Sequence, residues 1–135
     1  MEKKVFITQD LREVDVVAKY LLANLTASKI ILLNGELGTG KTALVKYLAK
    51  NLNINEVINS PTFNYMKVYP GLVHIDAYNF TKNADALDEF YDYFEDNIVA
   101  IEWANLIKIE ALNYLSVDVS LSKQGQHIYQ ISRKI

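Results

Sequence analysis

The residues with the clearest chemical meaning are Gly35-Glu36-Leu37-Gly38-Thr39-Gly40-Lys41-Thr42, which read G-x-x-x-x-G-K-[ST], the P-loop pattern. Each position has its own physical reason. Gly35, Gly38 and Gly40 reach backbone angles that a Cβ disfavours, so successive N–H groups can turn toward phosphate oxygens. A helix starting near Lys41 adds unsatisfied N–H groups and the positive end of its dipole. Lys41 is spaced to reach β- and γ-phosphates, and the Thr42 hydroxyl to hold Mg²⁺. Nucleotide contacts are therefore expected from Glu36, Leu37, Gly38, Thr39, Gly40, Lys41 and Thr42, with ATP or ADP and Mg²⁺ as the cofactors.

Such a loop needs a second carboxylate, usually at the C-terminal end of a neighbouring buried strand. Glu102 follows the apolar run Ile98-Val99-Ala100-Ile101, and Asp76 follows the more mixed Leu72-Val73-His74-Ile75. Both are candidates for the metal and for catalysis alongside Lys41. The residues alone do not say which lies nearer the metal. His74 reads as a strand residue with a satisfied ring, not as a base or ligand, since His127 is the only other histidine. Trp103 reads as a core anchor. The acidic residues between Asp85 and Asp96 read as a solvated helix face.

These groups require elements to position them. Ile30-Ile31-Leu32-Leu33 is apolar on both faces, the pattern of a strand inside a covered sheet. Leu44, Val45, Leu48 and Leu52 recur at helical spacing after the loop, and the polar stretch from Asn51 to Asn55 ends that helix. Upstream, Val5-Phe6-Ile7 predicts a short strand. Asp10 suits an N-cap with Glu13 three residues on, before a stripe of Val14, Val17, Ala18, Leu21 and Leu25. Val57-Ile58 predicts a brief strand, Ser60-Pro61-Thr62 a turn, and residues 63–76 a hairpin about Pro70-Gly71. Leu87, Phe90, Tyr91 and Phe94 predict a helix over 83–96, capped by Asn83. A second apolar strand spans 98–101, and a short helix follows near 103–112. Leu115 to Leu121 and His127 to Ser132 predict a closing hairpin, with His127, Tyr129 and Ile131 sharing one face. The fold class is α/β: a P-loop NTPase-like sandwich whose central, mostly parallel sheet carries helices on both faces and added antiparallel strands and hairpins.

Composition narrows the function. The chain has 135 residues, which predicts a single domain over 1–135. With no cysteine there is no disulfide framework, thiol nucleophile or cysteine zinc site. No apolar run approaches the ~18 residues of a membrane helix, and the first residues lack a signal-peptide pattern. A cytoplasmic location is expected, with no membrane partner. A net charge of −2 leaves little surplus for gripping nucleic acid directly. Of the 14 basic residues, Arg12 and Arg133 are the only arginines, which disfavours a small-molecule kinase with an arginine-bearing lid.

Taken together and in order, the P-loop, Ser60-Pro61-Thr62-Phe63, His74-Ile75-Asp76-Ala77-Tyr78 and Ile101-Glu102-Trp103 closely resemble the TsaE (YjeE) family. These are small bacterial ATPases of the tRNA threonylcarbamoyladenosine pathway. The resemblance implies weak ATP hydrolysis by the isolated protein and partnership with a TsaB–TsaD heterodimer, so that tRNA is met only indirectly. It also implies that Lys41 and Thr42 hold phosphate and Mg²⁺ and that Glu102 is the second Mg²⁺-side carboxylate. Asp76 would position water or metal, and residues 60–63 would form a nucleotide-responsive loop. Asn79 and Gln126 stand where the family commonly has arginine, Val14 where it often has threonine, and Ala104 where it often has proline. The missing cations at Asn79 and Gln126 point to weaker nucleotide binding or to an arginine from a partner. Two rivals to this ATPase are a small-molecule kinase and a nucleotide-dependent switch that works without hydrolysis.

Overall fold

The computed structural model describes residues 3–36, 38–58, 66–77, 94–104 and 113–135. Seven strands form one sheet: β1 (Lys3–Thr8), β2 (Ile30–Asn34), β3 (Met66–Tyr69), β4 (Leu72–Asp76), β5 (Ile98–Glu102), β6 (Tyr114–Leu121) and β7 (His127–Lys134). Two helices are described, α1 (Leu11–Ala23) and α2 (Lys41–Asn51). The strand order is β1-β7-β6-β2-β5-β4-β3. Strands β6, β2, β5 and β4 run parallel to their neighbours within that block, and β1, β7 and β3 add antiparallel edges. This is the mixed α/β sheet expected of a P-loop protein.

Burial follows the sequence pattern closely in the parallel block. Strand β2 is buried on both faces: Ile31 and Leu33 join the helices, and Ile30 and Leu32 join the opposite core. Val14, Val17, Ala18 and Leu21 from α1 meet Leu44, Val45, Leu48 and Ala49 from α2 in the first core. Both described helices therefore lie on one face. On the other face Val73, Ile75, Val99 and Ile101 are fully buried, packed with Phe94 and Trp103. A bond from Asn51 Nδ2 to Asp15 Oδ1 at 2.7 Å ties the two helices. That bond, with Lys19 beside it, holds the Asp15 carboxyl below its ordinary pKa.

The two helix starts differ in a way that matters for the site. Asp10 caps α1, its Oδ1 accepting from the N–H groups of Arg12 (2.8 Å) and Glu13 (3.3 Å). The Glu13 carboxylate reaches back to the Gln9 N–H at 2.9 Å, which completes a capping box. Helix α2 begins instead at Gly40, in the left-handed region, with no capping side chain. Its N-terminus is left to the loop that precedes it.

Several expectations change. Val57 and Ile58 form no strand; Val57 is exposed and Ile58 tucks into the first core. Residues 94–96 make a turn, with Asp96 at φ 67, so a helix over 83–96 does not extend that far. Trp103 is a turn residue at φ 59, and Ala104 after it takes a 3₁₀ conformation, so the short helix expected near 103–112 has its first described helical residue at Ala104. The remainder of both helical expectations, the turn at Ser60-Pro61-Thr62 and residues 63–65 of the hairpin lie outside the described residues. The last hairpin runs further than expected, to Lys134. No helix among the described residues is long and apolar enough to cross a membrane.

Candidate nucleotide site

The phosphate loop starts where β2 ends, beside the C-terminal ends of β5 and β4. Leu33 is level with Glu102, and Glu102 is level with Asp76. The crevice at the carboxyl ends of parallel strands is where open α/β sheets hold ligands. Among the described residues the buried polar and charged side chains are Thr8, Thr26, Thr39, Lys41, His74 and Glu102. Four of these six gather here, so polar side chains are buried mainly at this place.

Lys41 is 4% exposed, and its ammonium donates to the carbonyl oxygens of Gly35 (2.5 Å) and Glu36 (2.9 Å). Burial lowers the Lys41 pKa from its ordinary value, and the charges of Glu102, Asp76 and Glu36 pull it partly back. The Trp103 ring centroid lies 4.1 Å from Nζ, close enough for a cation–π contact. Trp103 thus packs on the second core, as the sequence suggests, and also covers the loop lysine. Its positive φ turns the chain directly after Glu102. A bulky residue held in that region costs about 1–3 kcal/mol, a strain that clusters at functional sites.

Below Lys41, the Thr42 hydroxyl lies 3.2 and 3.3 Å from the two oxygens of Glu102. Glu102 is 3% exposed, and its Oε2 lies 2.5 Å from Nε2 of the fully buried His74. A carboxylate accepts, so Nε2 carries the proton. The other nitrogen, Nδ1, is buried with no hydrogen-bond partner among the described residues. A proton there would be a buried donor without an acceptor, at a cost of roughly 1–3 kcal/mol, which favours the Nε2–H form. The sequence predicts a strand histidine with a satisfied ring; the ring is satisfied on one side only, and the partner is Glu102. Alternation along β4 does put residues 74 and 76 on one face, but only the β4–β5 register sets that face beside Glu102. His74 sits opposite Ala100, whose small side chain leaves room for the diagonal reach.

The loop is braced from the far side by β7. His127 Nδ1 donates to the Thr39 carbonyl, and the Tyr129 hydroxyl donates to the Gly40 carbonyl at 3.3 Å. Thr39 Oγ1 closes the loop on itself by donating to Glu36 O at 2.8 Å. A Cβ on Gly40 would lie 2.8 Å from Tyr129 Oη and 3.1 Å from His127 Nδ1, so the brace requires glycine. The shared face of His127, Tyr129 and Ile131 was legible in the sequence; that this face meets the phosphate loop was not.

Of the expected site residues, Glu36, Gly38, Thr39, Gly40, Lys41, Thr42, Asp76 and Glu102 are described and sit in or beside this crevice; Leu37 lies outside the described residues. Glu102 is the carboxylate that meets the Thr42 hydroxyl, while Asp76 is half-buried at the same level of the next strand. Thr42, Glu102 and Asp76 offer only oxygen donors, and among the described residues no three His, Cys, Asp or Glu side chains are placed to hold a metal ion by themselves. A small oxygen set suits Mg²⁺, which keeps waters and takes its remaining ligands from phosphate. The Ser60–Phe63 segment and Asn79 lie outside the described residues. Gln126 is engaged in its own turn, its N–H donating to Ser122 Oγ at 3.0 Å.

The family model described as Threonylcarbamoyl adenosine biosynthesis protein TsaE matches residues 8–135. The chain belongs to the TsaE family. It is 35% identical over 117 residues to the tRNA threonylcarbamoyladenosine biosynthesis protein TsaE of Nostoc sp. strain PCC 7120, covering 80% of this chain and 72% of that protein. The protein of the same name from Bacillus subtilis is 30% identical over 126 residues, covering 89% and 78%. A crystal structure of Bacillus subtilis YdiB shares the fold at a TM-score of 0.77 and 22% identity, over 98% of this chain and 86% of that one. The P-loop, the His74–Asp76 strand end and the Glu102-Trp103 strand end all fall within the span matched to the TsaE family.

Proposed function

We propose that this protein is an Mg²⁺-dependent ATPase that serves tRNA N6-threonylcarbamoyladenosine formation as an accessory subunit of a TsaB–TsaD complex in the cytoplasm. Family membership supports the pathway. One observation supports the chemistry: Thr42 and Glu102 meet at 3.2 Å beneath a buried P-loop lysine.

The chain's own residues would act in the following way. The loop backbone and the uncapped start of α2 bind phosphate through N–H groups. Lys41, partly desolvated, directs its charge at the β- and γ-phosphates, where an ammonium counts for more than it would in bulk water. Thr42 and Glu102 hold Mg²⁺, which when bound supplies charge neutralisation across the phosphate oxygens. Asp76, level with Glu102, orients the attacking water or shares the metal side. Positioning and charge neutralisation account for the reaction, since transfer to water needs little covalent work from the protein.

The test is ATP hydrolysis by the purified protein, with and without the TsaB–TsaD dimer, beside Lys41→Ala. Slow turnover that rises with the dimer and vanishes in the variant is expected. Hydrolysis indifferent to the dimer would remove the partnership, and ATP-dependent transfer to a metabolite instead of water would favour a kinase. Repeated partner turnover on a non-hydrolysable analogue would favour a switch.

A further inference from the structure

The structure assigns His74 a positioning role: its Nε2–H, donated to Glu102 Oε2 at 2.5 Å, holds that carboxylate facing the Thr42 hydroxyl, in the orientation that receives Mg²⁺. This rests on the reading of Glu102 as the Mg²⁺-side carboxylate.

Three observations carry it. Glu102 and His74 are both deeply buried, at 3% and 0% exposure, so water cannot substitute for the bond between them. The bond lies between adjacent parallel strands in fixed register, Asp76 level with Glu102 and His74 level with Ala100, so the donor is set by the rigid sheet and not by a loop. The third is the unpartnered Nδ1. It leaves the ring a single good hydrogen bond, and that bond points at Glu102. A core histidine placed for packing would have both nitrogens satisfied or would be replaceable by an apolar side chain. Here one nitrogen goes without a partner so that the other can reach the carboxylate. Donors behind a metal-binding carboxylate fix its rotamer, and their loss weakens metal binding by roughly 10- to 100-fold.

The experiment uses the full chain and two variants. His74→Leu removes the donor, and His74→Gln supplies an amide N–H near the position of Nε2. Binding of a fluorescent ADP analogue is titrated at graded Mg²⁺ concentrations and in excess chelator. His74→Leu is expected to raise the Mg²⁺ concentration needed for tight binding roughly 10- to 100-fold. Its Mg²⁺-free affinity should stay at the unmodified level, and His74→Gln should recover most of the Mg²⁺ response. An unchanged Mg²⁺ requirement in His74→Leu would overturn the proposal, as would equal losses in both variants, which would mean that ring packing and not the donor matters. If the unmodified protein showed no Mg²⁺-dependent nucleotide binding, the underlying reading of Glu102 would fail instead. Nitrogen NMR of the histidine rings keeps the proposal testable should His74→Leu not fold. With two histidines in the chain, His74 is expected protonated on Nε2 and His127 on Nδ1. A neutral His74 ring protonated on Nδ1 alone, with Nε2 bare, would overturn the assignment.

Discussion

Replacing Gly35 with alanine would place a Cβ 2.4 Å from the Val119 carbonyl oxygen and 2.9 Å from Thr39 Oγ1, at φ +152. Val119 cannot retreat easily, because β6 is paired with β7 through the whole of Tyr114–Leu121. Thr39 is held as well, since its hydroxyl donates to Glu36 O. Two costs then add: about 1–3 kcal/mol for a side chain at that backbone angle, and about 1–3 kcal/mol for overpacking against a fixed neighbour. The sum, roughly 2–6 kcal/mol, is a large part of a typical stability of about 5–15 kcal/mol. Gly38→Ala is the internal control: it sits at φ +79 with nothing within 4 Å of the added Cβ. Only the left-handed conformation opposes it, at about 1–2 kcal/mol. Urea unfolding followed by circular dichroism should put the Gly35→Ala midpoint well below that of Gly38→Ala, at unchanged slope. Equal midpoints for the two variants would refute the argument that the loop is wedged against β6.

Lys41→Ala should lower ATP hydrolysis by at least ~100-fold, the usual effect of removing a charged group aimed at the transition state, measured as phosphate release; unchanged release would contradict the assignment. Glu102→Ala should reduce hydrolysis far more than ADP binding, and the comparison of turnover with nucleotide titration checks it. That variant also leaves the buried His74 N–H without its acceptor, so a loss of about 1–3 kcal/mol in urea unfolding is expected. Tyr129 gives a pH-dependent outcome: burial pushes its phenol up to about 12 from 10.0. The neutral phenol stabilises the fold fully below pH 10, and that stability is lost as pH rises through the folded value. Below pH 10, Tyr129→Phe should therefore be less stable by roughly 0.5–1.5 kcal/mol, through the lost bond to Gly40 O. Toward pH 12 it should overtake the unmodified protein, whose loss is on the order of 2–3 kcal/mol. Parallel stability curves across that range would contradict this account.

What the sequence determined by itself was whatever depends on local spacing. Eight residues spell the phosphate loop, because backbone freedom and helix-end geometry are set by neighbours along the chain. Asp10 and Glu13 cap α1 as their separation requires, and the four-residue apolar runs before Gly35 and Glu102 become the doubly buried strands β2 and β5. The order of the sheet was not legible, because strand pairing depends on which edges meet after the chain has folded back. It placed β5 between β2 and β4 and so brought Glu102 and Asp76 level. The same register chose Glu102 as the carboxylate facing Thr42, gave His74 its single partner, and carried Trp103 over Lys41 through a left-handed turn. The brace from His127 and Tyr129 spans almost ninety residues of chain. No pattern in sequence encodes a contact at that separation, because it exists only once β7 has paired with β6 and turned that face toward the phosphate loop.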